Sequence, residues 1–592
     1  MSDLIQQLKQ QLARSPQDPE LYYELGRQYL RLKQADPAEQ AFMQSLNLAP
    51  DHPQILMQLG NVASLRADES GAAQYFRLSL AQDPNQADVH FNLANSLRQL
   101  GDNATAIKHY QQSLQLAPQD AECHNNLGNA YREQGQLDLA VGAYARAIKL
   151  DPQLLHAKVH WIHQKQHMAD WQGLDAAITE VRQALKQHPQ ALIPPFAFLA
   201  MPGTDAHEQL ACASAWAQQR YGHIPGLPAR APKPGNERIK LAYVSSDFRR
   251  HPLAYLVTDV IAAHDRQEFE VFLYSNARDD LSAERQAFVA AADHWVDIFS
   301  MTDAEVAMQM RAAGIDILVD LTGYTQHSRS GITAYRPARS HINWLGYPGS
   351  MGKVNGRPLF DAIIVDATLS QVAVNEQTIV LPCYQPNNAQ RPAALAGTRT
   401  QHGLPEQDFV FCCLNQSFKI TPEIFGSWMR ILQQVPGSVL WLLQCNQWAT
   451  QNLQQQALAA GIAIDRLVFA PRTTIAEHIT RQQHADLMLD TSPYNAHTTA
   501  SDALWQGVPL LTVAGDTFPA RVSASLLKHI GLDDCICADW TTLEQRAIHL
   551  AKDKQALASL KAAVKAQANA LFKPEVFCRL LEQAYQQQLS LA

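Results

Sequence analysis

Along residues 19–152 the pattern of apolar, small and polar positions repeats every 34 residues. Small residues stand at Gly26, Gly60, Ala94 and Gly128, alanines at Ala38, Ala72, Ala106 and Ala140, and rings at Phe42, Phe76, Tyr110 and Tyr144. Prolines end the steps at Pro50, Pro84, Pro118 and Pro152. Small columns let two helices approach, the ring fills the gap between neighbours, and proline stops the second helix. The pattern decays after 152, where 156–195 still reads as a helical pair and 206–221 as one more helix. Beyond a Pro/Gly-rich stretch at 224–236 the period changes to short apolar runs between amphipathic segments. Five runs lie at 240–246, 270–275, 316–321, 342–346 and 362–366, and five more at 409–416, 439–444, 466–470, 486–490 and 509–513. Continuous apolar strands alternating with helices predict parallel sheets covered on both faces, here two doubly wound lobes divided near 385–405.

The 34-residue register is the signature of tetratricopeptide repeats. The predicted organisation is a cap over 1–18, four repeats over 19–152, a helical connector over 153–236, a first lobe over 237–390 and a second over 391–592. The first helices of such repeats line a concave groove. Asn61, Asn92, Asn95, Asn126 and Asn129 recur on that face. An amide both donates and accepts, so the ladder is read as a groove for an extended peptide rather than a solvated polar face.

The chain has 592 residues, 46% of them hydrophobic, enough at about 150 residues per domain for roughly four domains. Its net charge of -8 argues against a nucleic-acid partner, and nowhere do about 18 apolar residues run together, so no membrane partner is expected. The opening residues lack the apolar core of a signal peptide, which predicts a cytoplasmic location. The nine cysteines are an odd number without a CxxC pair, so neither a disulfide framework nor a thiolate metal site is signalled. His156, His160, His163 and His167 form a helical stripe, but no carboxylate or cysteine joins them, and packing explains the spacing better than metal.

Chemistry is expected at the carboxyl ends of the strands. No dinucleotide fingerprint or Walker loop is present; GYPGSMGKV at 346–354 lacks the required first glycine and the final Ser/Thr. In LDTSPYNAHTTASDALWQGVP at 489–509, a helix starting near His497, Thr498 and Thr499 makes an anion site from free amides, hydroxyls and an imidazole. Thr499 and Asp502 also read as a capping box. Gln416 and Lys419 follow a strand in LNQSFKI at 414–420, where a lysine can neutralise a phosphate. His478 and Arg481, one turn apart, can stack on and bond a flat base. His251, after the first strand of the first lobe, can touch a reacting hydroxyl.

Taken in order, SSDFxxHP, LxGYT, RPAxxxxxWLGYPGxxG, NQxxKI, VPxSVLWLL, EHxxR, ADxxLDT, HTTxxDxLWxGxP and RVxASxL resemble the nucleocytoplasmic O-GlcNAc transferases and their bacterial relatives. The resemblance covers nearly the whole chain. It implies a GT-B fold of two Rossmann-like lobes and inverting transfer of GlcNAc from UDP-GlcNAc to Ser/Thr hydroxyls of a protein acceptor held in the repeat groove. No cofactor and no metal are implied. Gln416 and Lys419 are implied at the diphosphate, His497, Thr498 and Thr499 at the phosphates and sugar, His478 at the uracil with Arg481, and Asp502 at the ribose. Leu345, Gly346 and Pro348 are implied beside the sugar. His251 matches the histidine at the reacting centre, with a donor phosphate oxygen or an aspartate, here Asp320, as rival bases.

The chain departs from the animal pattern at Ile475, where a lysine is expected, and at Tyr494, whose ring stands where a smaller residue borders the acetamide. That leaves UDP-glucose as an alternative donor and asparagine as an alternative acceptor. A tetratricopeptide adaptor with decayed lobes is a further alternative, opposed by the joint presence of Gln416, Lys419, His478, Arg481, His497 and Asp502. A large intervening domain is replaced by a short linker at 386–404, and a homodimer through the convex face of the array is an allowed assembly.

Overall fold

A computed structural model describes residues 2–230, 237–392 and 397–591. Parts of both expected linkers, 231–236 of 224–236 and 393–396 of 386–404, lie outside the described residues. The chain forms two compact units, residues 1–164 with 300–302, and residues 165–299 with 303–592.

In the first unit, α1 (Ser2–Arg14) precedes four helix pairs: α2 (Pro19–Arg31) with α3 (Ala35–Leu48), α4 (Pro53–Leu65) with α5 (Glu69–Gln82), α6 (Ala87–Gln99) with α7 (Asn103–Leu116), and α8 (Ala121–Glu133) with α9 (Leu137–Leu150). The columns do what their chemistry requires. Phe42, Phe76, Tyr110 and Tyr144 are buried, and a Cβ on Gly60 would stand 2.5 Å from the Phe76 ring. Ser45 and Ser79 form a further column, their hydroxyls donating at 2.7 Å to the Pro19 and Pro53 carbonyls that open the first helices. The helix α10 (Leu155–His167) follows, and the first compact unit extends to Gln164.

The histidine stripe on α10 is divided. His156 meets the Glu122 carboxylate at 3.2 Å, one repeat upstream, so a carboxylate does join it. His160 Nδ1 lies 3.1 Å from Asn125 Oδ1, with its ring 5.4 Å from that of Tyr144. Burial holds His160 well below the usual imidazole range, as expected of a packed neutral ring.

In the second unit, the helices Leu174–Gln187, Pro195–Leu199 and Ala206–Tyr221 lead into two sheets. The first contains β1 (Ile239–Ser245), β2 (Phe269–Ser275), β3 (His294–Asp297), β4 (Ile317–Asp320) and β5 (Ser340–Asn343). A two-stranded ribbon, β6 (Lys353–Val354) and β7 (Arg357–Pro358), precedes β8 (Ala362–Val365) and β9 (Gln377–Val380), which complete the first sheet. The second contains β10 (Val410–Cys413), β11 (Val439–Leu443), β12 (Leu467–Ala470), β13 (Leu487–Leu489), β14 (Leu510–Val513) and β15 (Ile536–Cys537). All ten expected strands are present; β3, β9 and β15 are additional edge strands, short or half exposed, with too little apolar content to announce themselves.

The strand orders are β3-β2-β1-β4-β5-β8-β9 and β12-β11-β10-β13-β14-β15, every neighbour within them parallel. The chain direction across the sheet therefore reverses between β1 and β4 and again between β10 and β13, where loops diverge and leave a crevice. The final helix, Pro574–Leu591, returns to the first lobe, burying Cys578, Leu581 and Tyr585 in its core.

Tyr144→Phe should destabilise the array by about 1 kcal/mol, the worth of its buried 2.9 Å bond to Asn129 Oδ1. Tyr144→Ala should cost about 3–5 kcal/mol through the lost ring. Urea titration followed by helical circular dichroism measures both, and equal losses would contradict the packing role.

Candidate functional site

The loops at both reversal points carry the residues singled out above. After β10 come Asn415, Gln416 and a short turn, Ser417–Lys419; after β13 the chain runs from Asp490 to the helix Thr498–Trp505. Asn415 stitches these loops across the crevice: its Nδ2 donates to Thr491 Oγ1 at 2.9 Å and its Oδ1 accepts from Thr499 Oγ1 at 2.7 Å. Thr499 is thus inside the helix and bound to Asn415, while His497 occupies the cap position without a side-chain cap bond, so the expected Thr499–Asp502 capping box does not form. The amides of Thr498 and Thr499 open the helix and give it an anion-binding end.

Lys419 stands at this end. Its Nζ donates to the Asn495 carbonyl at 2.7 Å and lies 4.1 Å from the centre of the Tyr494 ring. Burial lowers its pKa to about 8, with Asp490 pulling the other way. The His497 ring stacks on Tyr494 at 4.8 Å, and its Nε2 lies 3.2 Å from the Pro519 carbonyl. A carbonyl only accepts, so Nε2 carries the proton and Nδ1 is a lone pair. Burial, then the charge of Lys419, hold this imidazole neutral. The imidazole donor is therefore spent on Pro519, and the anion-binding groups of this segment are its backbone amides. Gln416, half-buried, precedes the turn and accepts the Lys419 amide on its carbonyl at 3.0 Å.

His478 and Arg481 occupy the helix Ile475–Arg481 that follows β12. Arg481 donates to the Pro471 carbonyl and to His478 Nδ1, both at 2.7 Å, so His478 presents Nε2–H. Burial, then Arg481, push His478 down to about 4. Much of the Arg481 fork is thus committed to holding His478. Asp502, one turn into its helix, is ion-paired with Arg391, a partner without any signal in the sequence.

In the first lobe His251 follows β1, and its helix begins at Ala254, as the proline requires. His251 Nδ1 accepts from the Leu253 amide at 3.3 Å, leaving Nε2–H 3.8 Å from Asp247. It therefore presents a donor, not the lone pair of a base. Asp320, the rival base, lies at the end of β4. Its carboxylate is 1% exposed and accepts the amides of Thr322 and Gly323 at 2.8 and 3.0 Å and the Ser330 hydroxyl at 3.2 Å. The carboxylate thus anchors the loop that follows it, Oδ1 taking both amides and Oδ2 the hydroxyl.

After β5, Leu345 adopts a φ of 66°, a backbone conformation uncommon for a side chain of its size. Gly346 follows because a Cβ there would stand 2.2 Å from the Leu321 carbonyl oxygen. Tyr347 then enters one buried cluster with Tyr324, Phe418 and Tyr494, so the loop holding Leu345, Gly346 and Pro348 shares a wall with the Lys419 site. Tyr494 is 6% exposed and acts as the floor beneath Lys419 and His497.

The asparagine ladder of the first unit is largely bonded to itself. Asn92 and Asn126 donate to Asn61 and Asn95 at 3.0 and 3.1 Å, and Asn95 and Asn129 accept from the Tyr110 and Tyr144 hydroxyls. Asn129 is buried, whereas Asn61, Asn92 and Asn126 remain partly exposed. Among the described residues His264, Cys578 and Glu582 form a buried group of metal-ligand types. Its atoms are already engaged, with His264 between Tyr243 at 2.8 Å and Glu582 at 3.0 Å, which fits a packed hydrogen-bond cluster.

Two doubly wound lobes with their reversal-point loops joined on one wall define the GT-B architecture. Residues 222–389 and 385–581 match Glycosyl transferase family 41, residues 121–154 match the tetratricopeptide repeat, and residues 1–124 match the cytochrome c-type biogenesis protein H TPR domain. The chain belongs to glycosyl transferase family 41. It is 31% identical over 452 residues to the probable UDP-N-acetylglucosamine–peptide N-acetylglucosaminyltransferase SEC of Arabidopsis thaliana, covering 72% of this chain and 46% of that protein. Similarity to the UDP-N-acetylglucosamine–peptide N-acetylglucosaminyltransferase of Caenorhabditis elegans is 24% over 545 residues, covering 70% and 47%. The chain thus spans about half the length of these curated relatives. A mutant O-GlcNAc transferase of Thermobaculum terrenum superposes with a TM-score of 0.63 at 24% identity, covering 96% of this chain and 97% of that one, which shows the shared fold. Among the described residues no helix is long and apolar enough to cross a membrane.

Gly346→Ala sets backbone against backbone and should cost at least about 1–3 kcal/mol. Gly426→Ala, on a helix where an added Cβ would meet the Arg430 side chain at 3.5 Å, should be neutral or stabilising by about 0.5–1 kcal/mol. Thermal unfolding followed by tryptophan fluorescence separates them; equal melting temperatures would refute the close approach.

Proposed function

We propose that the chain is an inverting, metal-independent glycosyltransferase that moves GlcNAc from UDP-GlcNAc to Ser/Thr hydroxyls of protein acceptors. The observation that carries this reading is the pairing of Lys419 with the amide-rich start of the Thr498–Trp505 helix at one reversal point. The names of the relatives support the donor and the peptide acceptor.

In this reading Lys419 and the amides of Thr498 and Thr499 bind the diphosphate, supplying the positive potential that a cation supplies elsewhere. Gln416 lies beside them, the neutral His478 ring lies against uracil with Arg481 behind it, and Asp502 takes the ribose. Leu345, Gly346 and Pro348 border the sugar. The acceptor oxygen attacks the anomeric carbon from the face opposite UDP, that C–O bond forms as the bond to the diphosphate breaks, and the configuration inverts. With Asp320 locked in its loop and His251 presenting N–H, a donor phosphate oxygen receives the hydroxyl proton. His251 then steadies oxygen atoms at the reacting centre by donating to them. The acceptor chain runs along the Asn61, Asn92 and Asn126 face.

UDP release from a panel of UDP-sugars tests the reading. Lys419→Ala should lose turnover at least as severely as His251→Ala, because charge on the leaving group outweighs a single proton contact. Wild-type turnover in Lys419→Ala would overturn the assignment, and preference for UDP-glucose would change the sugar while keeping the mechanism.

Lys419 also predicts a pH limb. Below about 8 it is cationic and its attraction for a diphosphate is fully present; above that value the free site is neutral. UDP affinity should therefore weaken by up to about tenfold per pH unit above 8. Calorimetry across this range checks it, and the limb should vanish in Lys419→Met.

A further inference from the structure

The chain between the lobes is tied to both. Gln385 Nε2 donates to the Ser501 hydroxyl at 2.7 Å and to the His497 carbonyl at 3.3 Å, and the Trp505 indole donates to the Pro392 carbonyl at 3.3 Å. These bonds fix residues 385–392 along the Thr498–Trp505 helix. On the other side Asn388 Nδ2 donates to the Ala254 carbonyl at 2.9 Å, and the Ala389 amide donates to the Asp259 carboxylate at 2.9 Å. Both partners lie on the helix that follows the His251 loop.

Arg391 is the inward-facing member of this strap. Its side chain is 0% exposed and ion-paired with Asp502, which remains 12% exposed. Arg391 Nη2 donates to Asn387 Oδ1 at 2.6 Å, and its guanidinium lies 5.3 Å from the Phe572 ring centre. Arg391 Nε and Asn387 Nδ2 are buried donors without partners among the described residues. A buried arginine facing a carboxylate that still reaches the surface is a rear support, with Asp502 in front of it. Burial favours the protonated form of Asp502, and Arg391 opposes it. Without that guanidinium the carboxylate would be left to protonate or turn, and a protonated carboxyl loses its strength as an acceptor for sugar hydroxyls.

We propose that Arg391 is the positioning residue for the nucleotide's ribose: it holds Asp502 in place as the acceptor of the ribose hydroxyls and so sets the preference for a ribonucleotide. This rests on the proposed use of UDP and goes beyond it by assigning the selectivity to a residue of the interlobe strap. Asn387 supports Arg391 in turn.

Calorimetry with UDP, 2′-deoxy-UDP and 3′-deoxy-UDP tests the assignment on the full-length protein. Wild type should bind UDP at least about tenfold more tightly than one or both deoxy analogues, the scale of a hydrogen bond to a charged group. Arg391→Gln should lower UDP affinity about tenfold while barely changing the deoxy analogues, bringing the ratio toward one. Arg391→Lys, which restores charge without the fork, should recover part of that ratio. In an Asp502→Asn background Arg391→Gln should produce no further change in selectivity. A folded Arg391→Gln protein with the wild-type ratio would overturn the proposal. If that variant fails to fold, Asn387→Ala, which removes one Arg391 acceptor, should still narrow the ratio, and an unchanged ratio there would overturn it equally. Wild type that binds no UDP would instead remove the parent reading, whereas wild-type discrimination retained in every variant removes only the role of Arg391.

Discussion

The constraint on which the site depends is the burial of a carboxylate at the tips of central strands. Asp320 at the end of β4, Asp366 after β8 and Asp490 after β13 are 1%, 2% and 0% exposed. A buried carboxylate without donors is too costly to keep, so each gathers the amides of the loop that follows it. Asp366 takes the Thr368, Leu369 and Tyr384 amides, the last at the start of the strap, together with the Ser525 hydroxyl. Asp490 takes the Thr491 and Ala496 amides and the Thr512 hydroxyl. The loop between those two amides is closed on itself, which delivers Tyr494, Asn495 and then His497 to fixed places. Loops that otherwise vary freely become as determined as the strands they leave.

That determination governs the electrostatics. Asp490 lies close enough to raise the pKa of Lys419 against the lowering due to burial. Lys419 in turn adds to the burial that keeps His497 neutral. One cation, one neutral ring and a row of amides are thereby brought together, and each depends on the Asp490 loop for its position. The first lobe repeats the device with Asp320, whose loop brings Thr322 to meet Ser245 at 3.2 Å and the Ser246 amide at 3.0 Å across its own reversal point.

The architecture was legible because its signals are periodic. A 34-residue register and continuous apolar runs report helix pairing and buried parallel strands through many residues at once. Lys419, His497 and Thr498 were legible because a strand end followed by a helix start is a local pattern. Arg391 and Asn415 were not, because their partners lie 111 and 84 residues away and no local pattern marks a residue that acts by reaching another loop. The loop bonds of Asp320 were illegible for a related reason. An apolar run ending in aspartate, as in LVD, IIVD and LMLD, announces a strand tip, but only the structure shows whether that carboxylate faces the crevice or its own loop. The asparagine column shows the same limit: recurrence in register fits a ligand ladder and an internal ladder equally, and the Tyr110 and Tyr144 hydroxyls decide for the latter at Asn95 and Asn129.

Tyr494 shows how burial changes the meaning of a substitution. Judged by volume, a ring near an acetamide is an obstacle. In the fold one of its neighbours is Lys419 at 4.1 Å and another is His497, stacked at 4.8 Å, so its faces are engaged in holding these two side chains. Phe196 and Phe418 approach it at steep angles, 65° and 82°. A ring held in this way has little freedom to swing, and it narrows a neighbouring pocket only where its edge is uncovered. The room it leaves beside it is therefore set by how far Phe196 and Phe418 cover that edge. Replacing it with a smaller residue would open space and, in the same step, remove the aromatic support of Lys419.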